Sequence, residues 1–406
     1  MRLVSSLGIW GMDFTLTPCQ QTLKGEFEEF FREEEKNAPE GWLGGAGASL
    51  ETDDGWAYHL DVGKKLGEKG WLSLAWPKAY GGSELGHIEQ VIFNETRAYH
   101  RVPGIDQGPY IVAACILEHG SEEMKQEWLP RISSRETNWC QGWSEPNAGS
   151  DLASLTTTAT EDGDDFLING QKIWTSAAHR ANHMFLLART DREAPKHKGL
   201  TFFITATNLP GFTARPICHM SGKHSYNEVF FDNFRIPKRN VVGEVNNGWY
   251  VTMSGMEFER SGISFIAETM RDLDDIIEFC KETDLGRETI SRNPILKHKL
   301  AQRKVEVETA RQFAYYIAWL QSKRERVPAE ASAGKYYAAE LMLRVAHTGL
   351  DVLGFYATLK QGSKWAQLRG RLEYIIQHGL GPSLAGGTNE IQKNIIAWMG
   401  LGLPRK

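Results

Sequence analysis

The chain has 406 residues, 41% hydrophobic and 24% charged, with a formal net charge of -5. It is too long for one ordinary core and too acidic for the phosphate-neutralising surface of a nucleic-acid binder. Its five cysteines (Cys19, Cys115, Cys140, Cys218, Cys280) form no Cys-x-x-Cys pair, so neither a disulfide framework nor a zinc site is indicated and a reducing cytoplasm is expected.

Residues 1–11 carry one Arg and a short apolar patch. They make a poor signal peptide, and no run of the chain is long enough to span a bilayer. Met12 opens Met-Asp-Phe-Thr-Leu-Thr-Pro, which reads as a natural start, so residues 1–11 are expected to have no role in the fold. Thr17 and Pro18 then supply an N-cap and a first helical position, followed by Leu23, Phe27, Phe30 and Phe31 at helical spacing. Further helices are expected over 87–100, 110–118 and 121–132. The Pro- and Gly-punctuated stretch 70–82 between them reads as loop.

Near Thr137 the pattern changes to short strands, at 155–160, 166–174, 184–189, 200–206, 212–217 and 228–236. Asp162-Gly163-Asp164 and Asn169-Gly170 supply turn chemistry. Strands without intervening helices imply an antiparallel β domain. Helical spacing returns after Gly248-Trp249. Ala310, Phe313, Ala314, Ile317 and Leu320 mark one helix, and 336–353 another. The expected organisation is α+β: an N-terminal α-helical domain (12–136), a middle antiparallel β domain (137–248) and a C-terminal α-helical bundle (249–406).

No Gly-x-Gly-x-x-Gly follows a strand, and no P-loop, His-Glu-x-x-His or Gly-x-Ser-x-Gly occurs. Dinucleotide-fold, phosphoryl-transfer, metal and serine-hydrolase chemistry therefore lack their minimal parts. Four other stretches stand out. Residues 142–154 read Gly-Trp-Ser-Glu-Pro-Asn-Ala-Gly-Ser-Asp-Leu-Ala-Ser, and 170–176 read Gly-Gln-Lys-Ile-Trp-Thr-Ser. Residues 227–232 read Asn-Glu-Val-Phe-Phe-Asp, and 385–392 read Ala-Gly-Gly-Thr-Asn-Glu-Ile-Gln. Taken alone, a Trp and several Ser in a β domain are ordinary core and turn residues. In this order, over nearly the whole chain, the four stretches resemble the acyl-CoA dehydrogenase family.

That resemblance implies FAD as cofactor, held by Trp143, Ser144, Ser150, Trp174 and Ser176, with Thr388 and Glu390 added from the C-terminal motif. It implies an acyl-CoA substrate, with Ser150 and Arg260 beside it. The reaction removes a proton α to a thioester and a hydride from the β carbon, so it needs a carboxylate base and a donor for the developing enolate oxygen. In many members the base is a Glu at the position of Gly386. Here that carboxylate is missing, and the resemblance shifts to the subset that carries it on the first helix of the C-terminal domain, directly before an Arg. Glu259, followed by Arg260, takes that role, while the backbone N–H of Gly386 remains for the thioester oxygen. Loss of a side chain at 386 suggests a branched, cyclic or otherwise bulky acyl group.

Two elements depart from the family pattern. The Arg-x-x-Phe-Gly segment is not recognisable around Arg292-Asn293-Pro294-Ile295, and Gln-x-x-Gly-Gly appears as Asp351-Val352-Leu353-Gly354-Phe355. The family implies an electron-transfer flavoprotein as acceptor and a homotetramer built as a dimer of dimers. The departures keep open a non-catalytic or half-site subunit in a hetero-oligomer with a related chain. An oxygen-using oxidase or nitroalkane-oxidising relative is a further alternative. No metal is expected.

Overall fold

The computed structural model describes residues 15–44, 47–256, 261–283 and 293–405. Five helices come first: α1 (Pro18–Lys36), α2 (Asp53–Glu68), α3 (His87–Tyr99), α4 (Ala113–His119) and α5 (Glu122–Ser133). Seven strands follow: β1 (Trp139–Gly142), β2 (Thr158–Asp162), β3 (Asp165–Lys172), β4 (His183–Arg189), β5 (Leu200–Ala206), β6 (Phe212–Cys218) and β7 (His224–Pro237). The chain then returns to helix: α6 (Gly248–Gly255), α7 (Ile263–Glu282), α8 (Pro294–Ser322), α9 (Pro328–Leu353), α10 (Arg371–His378), α11 (Gly381–Leu384) and α12 (Asn389–Ile395). No helix among the described residues is long and apolar enough to cross a membrane.

Local chemistry sets the helix ends. Thr17 and Gln20 cap α1 reciprocally, the hydroxyl accepting from Gln20 N at 3.2 Å and the amide oxygen from Thr17 N at 3.0 Å. Ser121 Oγ accepts from Met124 N at 3.2 Å to open α5. The stretch expected to start a helix at Tyr110 begins instead as a π turn over Gly108–Val112 before α4. The expected loop at 70–82 holds two short 3-10 turns, Trp71–Ser73 and Lys78–Tyr80.

α1–α3 share one core with α7–α10, while α4 and α5 pack on the sheet. Phe27, Phe31 and Phe93 pack in the same buried cluster as Leu273, Ile276 and Leu341. A buried charge network crosses it. Arg371 donates to Asp272 Oδ1 at 2.9 Å and to the carbonyls of Leu43 and Gly44 at 3.1 and 2.8 Å, and Arg101 donates to the same carboxylate. Each charge in that network faces an opposite one, which is what makes its burial tolerable.

The sheet runs β1-β4-β2-β3-β7-β6, with β5 on β4. It departs from the all-antiparallel expectation at β4: β1 pairs parallel with one part of it, and Thr158 of β2 meets Arg189 in parallel. The parallel pairing follows from the excursion between them, since the β2–β3 hairpin carries the chain back before β4 starts. The expected strand from 155 starts later, at Thr158, because Leu152–Ser154 form a 3-10 turn. Asp162-Gly163-Asp164 makes the hairpin turn, with Gly163 at φ 62°. Asn169-Gly170 makes no turn: Asn169 faces the extra residue of a bulge in β7, where Asn233 has φ 48°. A side chain at Gly170 would stand 2.6 Å from Thr157 Oγ1. β4 is buried on both faces: Phe185 and Leu187 pack toward α4 and α5, and Met184 and Leu186 toward β3 and β7.

Candidate active site

β3 ends on a lysine at an inward-facing position. Lys172 is fully buried, and its ammonium donates to Trp143 O at 3.0 Å and to Glu145 Oε1 at 2.9 Å. Glu145 also accepts from Thr156 N at 2.6 Å, Thr156 Oγ1 at 2.8 Å and Thr157 N at 2.8 Å. Burial alone would raise the Glu145 pKa. Lys172 and the threonine donors outweigh it and hold the carboxyl at about 2. Burial lowers Lys172 to about 8 against the pull of Glu145. This pair, with the Ile173 N to Ser144 O bond at 2.9 Å, fastens the 142–154 stretch to the end of β3.

Past Lys172 the backbone is pinned to β7 by three hydrogen bonds. Thr175 and Asn227 exchange N–H···O bonds of 3.0 Å in both directions, and Ala177 N donates to Ser225 O at 3.2 Å. Just before these anchors Trp174 adopts φ 60°, a left-handed conformation that a bulky residue keeps only where its neighbours over-determine it. Trp174 and Ser176 are exposed while Thr175 between them is buried, so the segment presents an indole and a hydroxyl to solvent. The Trp174 indole is 58% exposed. Tyr226 stands edge-on to it, 6.2 Å between centroids and 86° between planes.

The C-terminal motif lies at the start of α12. Gly386 and Gly387 have φ of 63° and 80°, and a Cβ on Gly386 would meet open space. Gln392 Nε2 donates to Gly386 O at 2.9 Å, and Lys335 of α9 donates to Gly387 O at 2.7 Å. Thr388 Oγ1 caps α12 by accepting from Ile391 N at 3.2 Å. Glu390, exposed in the first turn, has its pKa lowered, chiefly by its own backbone N–H and then by Thr388. Just upstream, a Cβ on Gly381 of α11 would lie 3.5 Å from Tyr226 Oη.

The structure thus joins three of the four motif stretches by hydrogen bonds and brings the third beside the approach to the fourth. Trp143 is buried, Ser144 half-buried and Ser150 exposed. Two buried polar atoms in these stretches, Trp143 Nε1 and Thr175 Oγ1, have no hydrogen-bond partner among the described residues. Thr388 and Glu390 sit apart from the β-domain residues, on α12. Glu259 and Arg260 lie outside the described residues. Of the two departing elements, Asn293 caps α8 by accepting from Ile295 N at 3.0 Å. Asp351 pairs with Lys299 at 2.7 Å, and Phe355 is 93% exposed. Sequence reasoning missed Glu145 with Lys172, and also Asn227 and Tyr226. A lysine at an inward strand position was the available signal for the first pair.

Comparison with known proteins gives the family. Models of the acyl-CoA dehydrogenase N-terminal, middle and C-terminal domains match residues 17–136, 140–234 and 246–400. The chain is 34% identical to "Acyl-CoA dehydrogenase FadE26" of Mycobacterium tuberculosis, over 97% of this chain and 99% of that one. Among solved structures, "Tcur3481-Tcur3483 steroid ACAD" is 30% identical with a TM-score of 0.87, covering 97% of this chain and 100% of that one. The ChsE4-ChsE5 complex from Mycobacterium tuberculosis is 34% identical, with the same TM-score and the same coverage. The chain belongs to the acyl-CoA dehydrogenase family and is an FAD-dependent oxidoreductase.

Proposed function

We propose that the chain dehydrogenates a bulky acyl-CoA thioester between its α and β carbons and passes the electrons to an electron-transfer flavoprotein. The observation that carries the reading is the convergence of the motif stretches: 142–145, 172–177 and 225–227 are bonded into one unit beside the entry to the Gly386 loop. The open face of Trp174 supports a flavin wall, with Ser144, Ser150 and Ser176 as donors beside it. The unpartnered Trp143 Nε1 and Thr175 Oγ1 fit a site completed by a group rich in acceptors. Bound FAD supplies the acceptor for the β-hydride. The protein's own work is to hold the thioester, donate to its oxygen from Gly386 N–H, and take the α-proton on a carboxylate, which we assign to Glu259 with Arg260 beside it. Thr388 and Glu390 are assigned to FAD through the partner subunit's side of the interface.

Open space at Gly386 supports a bulky acyl group, and one of the similar solved structures is named as a steroid enzyme. Glu259→Gln, titrated with a panel of acyl-CoA thioesters, tests base and substrate together. We expect the variant to retain FAD and lose flavin bleaching by about a hundredfold to ten-thousandfold, with polycyclic or branched thioesters best on the wild type. Near-full activity in the variant removes Glu259 from the mechanism.

A second reading is favoured by one observation: both structural relatives named above pair two proteins. The chain then assembles with a related subunit instead of forming a homotetramer. Exposed Phe355, Trp365, Leu384 and Leu401 supply apolar surface for either assembly. The unpaired cysteines support a cytoplasmic location.

A further inference from the structure

We propose that Asn227 is a positioning residue for the flavin wall, fixing Trp174 and Ser176 through a side-chain amide oriented by His179 and His224. The inference rests on the reading of Trp174 and Ser176 as flavin contacts.

Asn227 is fully buried. Besides its two backbone bonds to Thr175, its Nδ2 donates to Thr175 O at 3.0 Å and lies 3.1 Å from His179 Nδ1. Its Oδ1 lies 2.9 Å from His224 Nε2. The chain of donors has one consistent assignment. Leu50 O can only accept, so His179 Nε2, 3.3 Å away, carries the proton. Burial holds the His179 pKa below the ordinary histidine value, so the ring is neutral and its bare Nδ1 accepts from Asn227. His224 Nε2–H then fills Oδ1. Rotating the amide by half a turn would set Oδ1 against two acceptors and the NH2 against a donor. The amide is therefore locked, and the two imidazoles that lock it stack 3.8 Å apart at 25°.

The lock acts between two left-handed residues. Trp174 and Ala177 hold φ of 60° and 64° on either side of Thr175 and Ser176, and each left-handed residue tends to relax unless its neighbours are held. Thr175 O takes both Asn227 bonds, backbone and side chain, using both lone pairs. Tyr226, one residue before Asn227, then stands perpendicular to the Trp174 ring. One residue thus sets the height of the wall and, through its neighbour, the tilt of the indole.

The test is flavin emission and FAD affinity, measured in whatever assembly holds FAD in the wild type. An indole stacked on a flavin quenches its emission, so Trp174→Phe should brighten bound FAD. Asn227→Asp keeps the shape but loses both side-chain donors. It should bind FAD about tenfold more weakly, the size of one buried hydrogen bond lost, and its emission should rise toward that of Trp174→Phe. Wild-type emission and affinity in Asn227→Asp would overturn the assignment. If that variant does not fold, His224→Phe decides, because it removes only the donor to Oδ1: intermediate emission supports the lock, and wild-type emission overturns it. Unchanged emission in Trp174→Phe overturns the flavin-wall reading, and this inference with it. A bright Trp174→Phe beside a dark Asn227→Asp overturns this inference alone.

Discussion

Lys172 has no exposed surface and, among the described residues, donates to two acceptors, Trp143 O and Glu145 Oε1. Its charge is tolerated because the carboxylate beside it is itself saturated by threonine donors. Removing either partner strands the other in a place water cannot reach. Lys172→Met should therefore destabilise the fold by about 3–5 kcal/mol in denaturant titration. Glu145→Gln added to it should recover part of that loss, a coupling that a double-mutant cycle reads directly. A surface pair would show neither effect. At this scale the motif positions named Trp143, Ser144, Trp174 and Ser176 as candidates, and the structure brings their stretches together. Asn227 opened the third stretch without a role of its own and Tyr226 was not named, because their contacts with residues 175 and 174 cross the sheet, which no local spacing records. Lys172 could have been found, since the alternation of Phe166 and Ile168 leads inward to it.

At the scale of elements, the strands announced themselves where apolar runs were long, as in β4 and β5, both buried on two faces. β1 went unseen because it has four residues and gains its order from a parallel partner some forty positions later. The Asn-Gly dipeptide of β3 carried turn chemistry that tertiary pairing overrode. Gly170 sits at φ 148° where β3 shifts register against β7, with Thr157 backbone 2.7 Å from any added Cβ. Gly170→Ala should cost about 2–4 kcal/mol from strain and clash together. Because Gly170 lies two residues before Lys172, the same variant should also loosen FAD. A thermal shift without loss of flavin would separate this part of β3 from the site.

For the whole molecule, the α–β–α order read from the sequence holds, but α1–α3 and the C-terminal helices are parts of one packed body. The surface of that body carries Phe355 at nearly full exposure beside Gly354, in the element that departs from the family pattern. Purified alone, the chain should hold well under one FAD per subunit if a related chain completes the site. Coexpression with that chain should restore the flavin absorbance. Full flavin content in the lone chain would favour the homotetramer.

The shared core also imposes a timetable on synthesis. Phe27, Phe31 and Phe93 leave the ribosome long before Leu273, Ile276 and Leu341, which cover them. At the usual pace of translation that interval is on the order of ten seconds or more, and through it the nascent helices present an uncovered apolar face while the β segment folds between them. Chaperones that shield such faces have their natural window here, and a chain released before α7 should precipitate instead of surviving as a smaller folded protein.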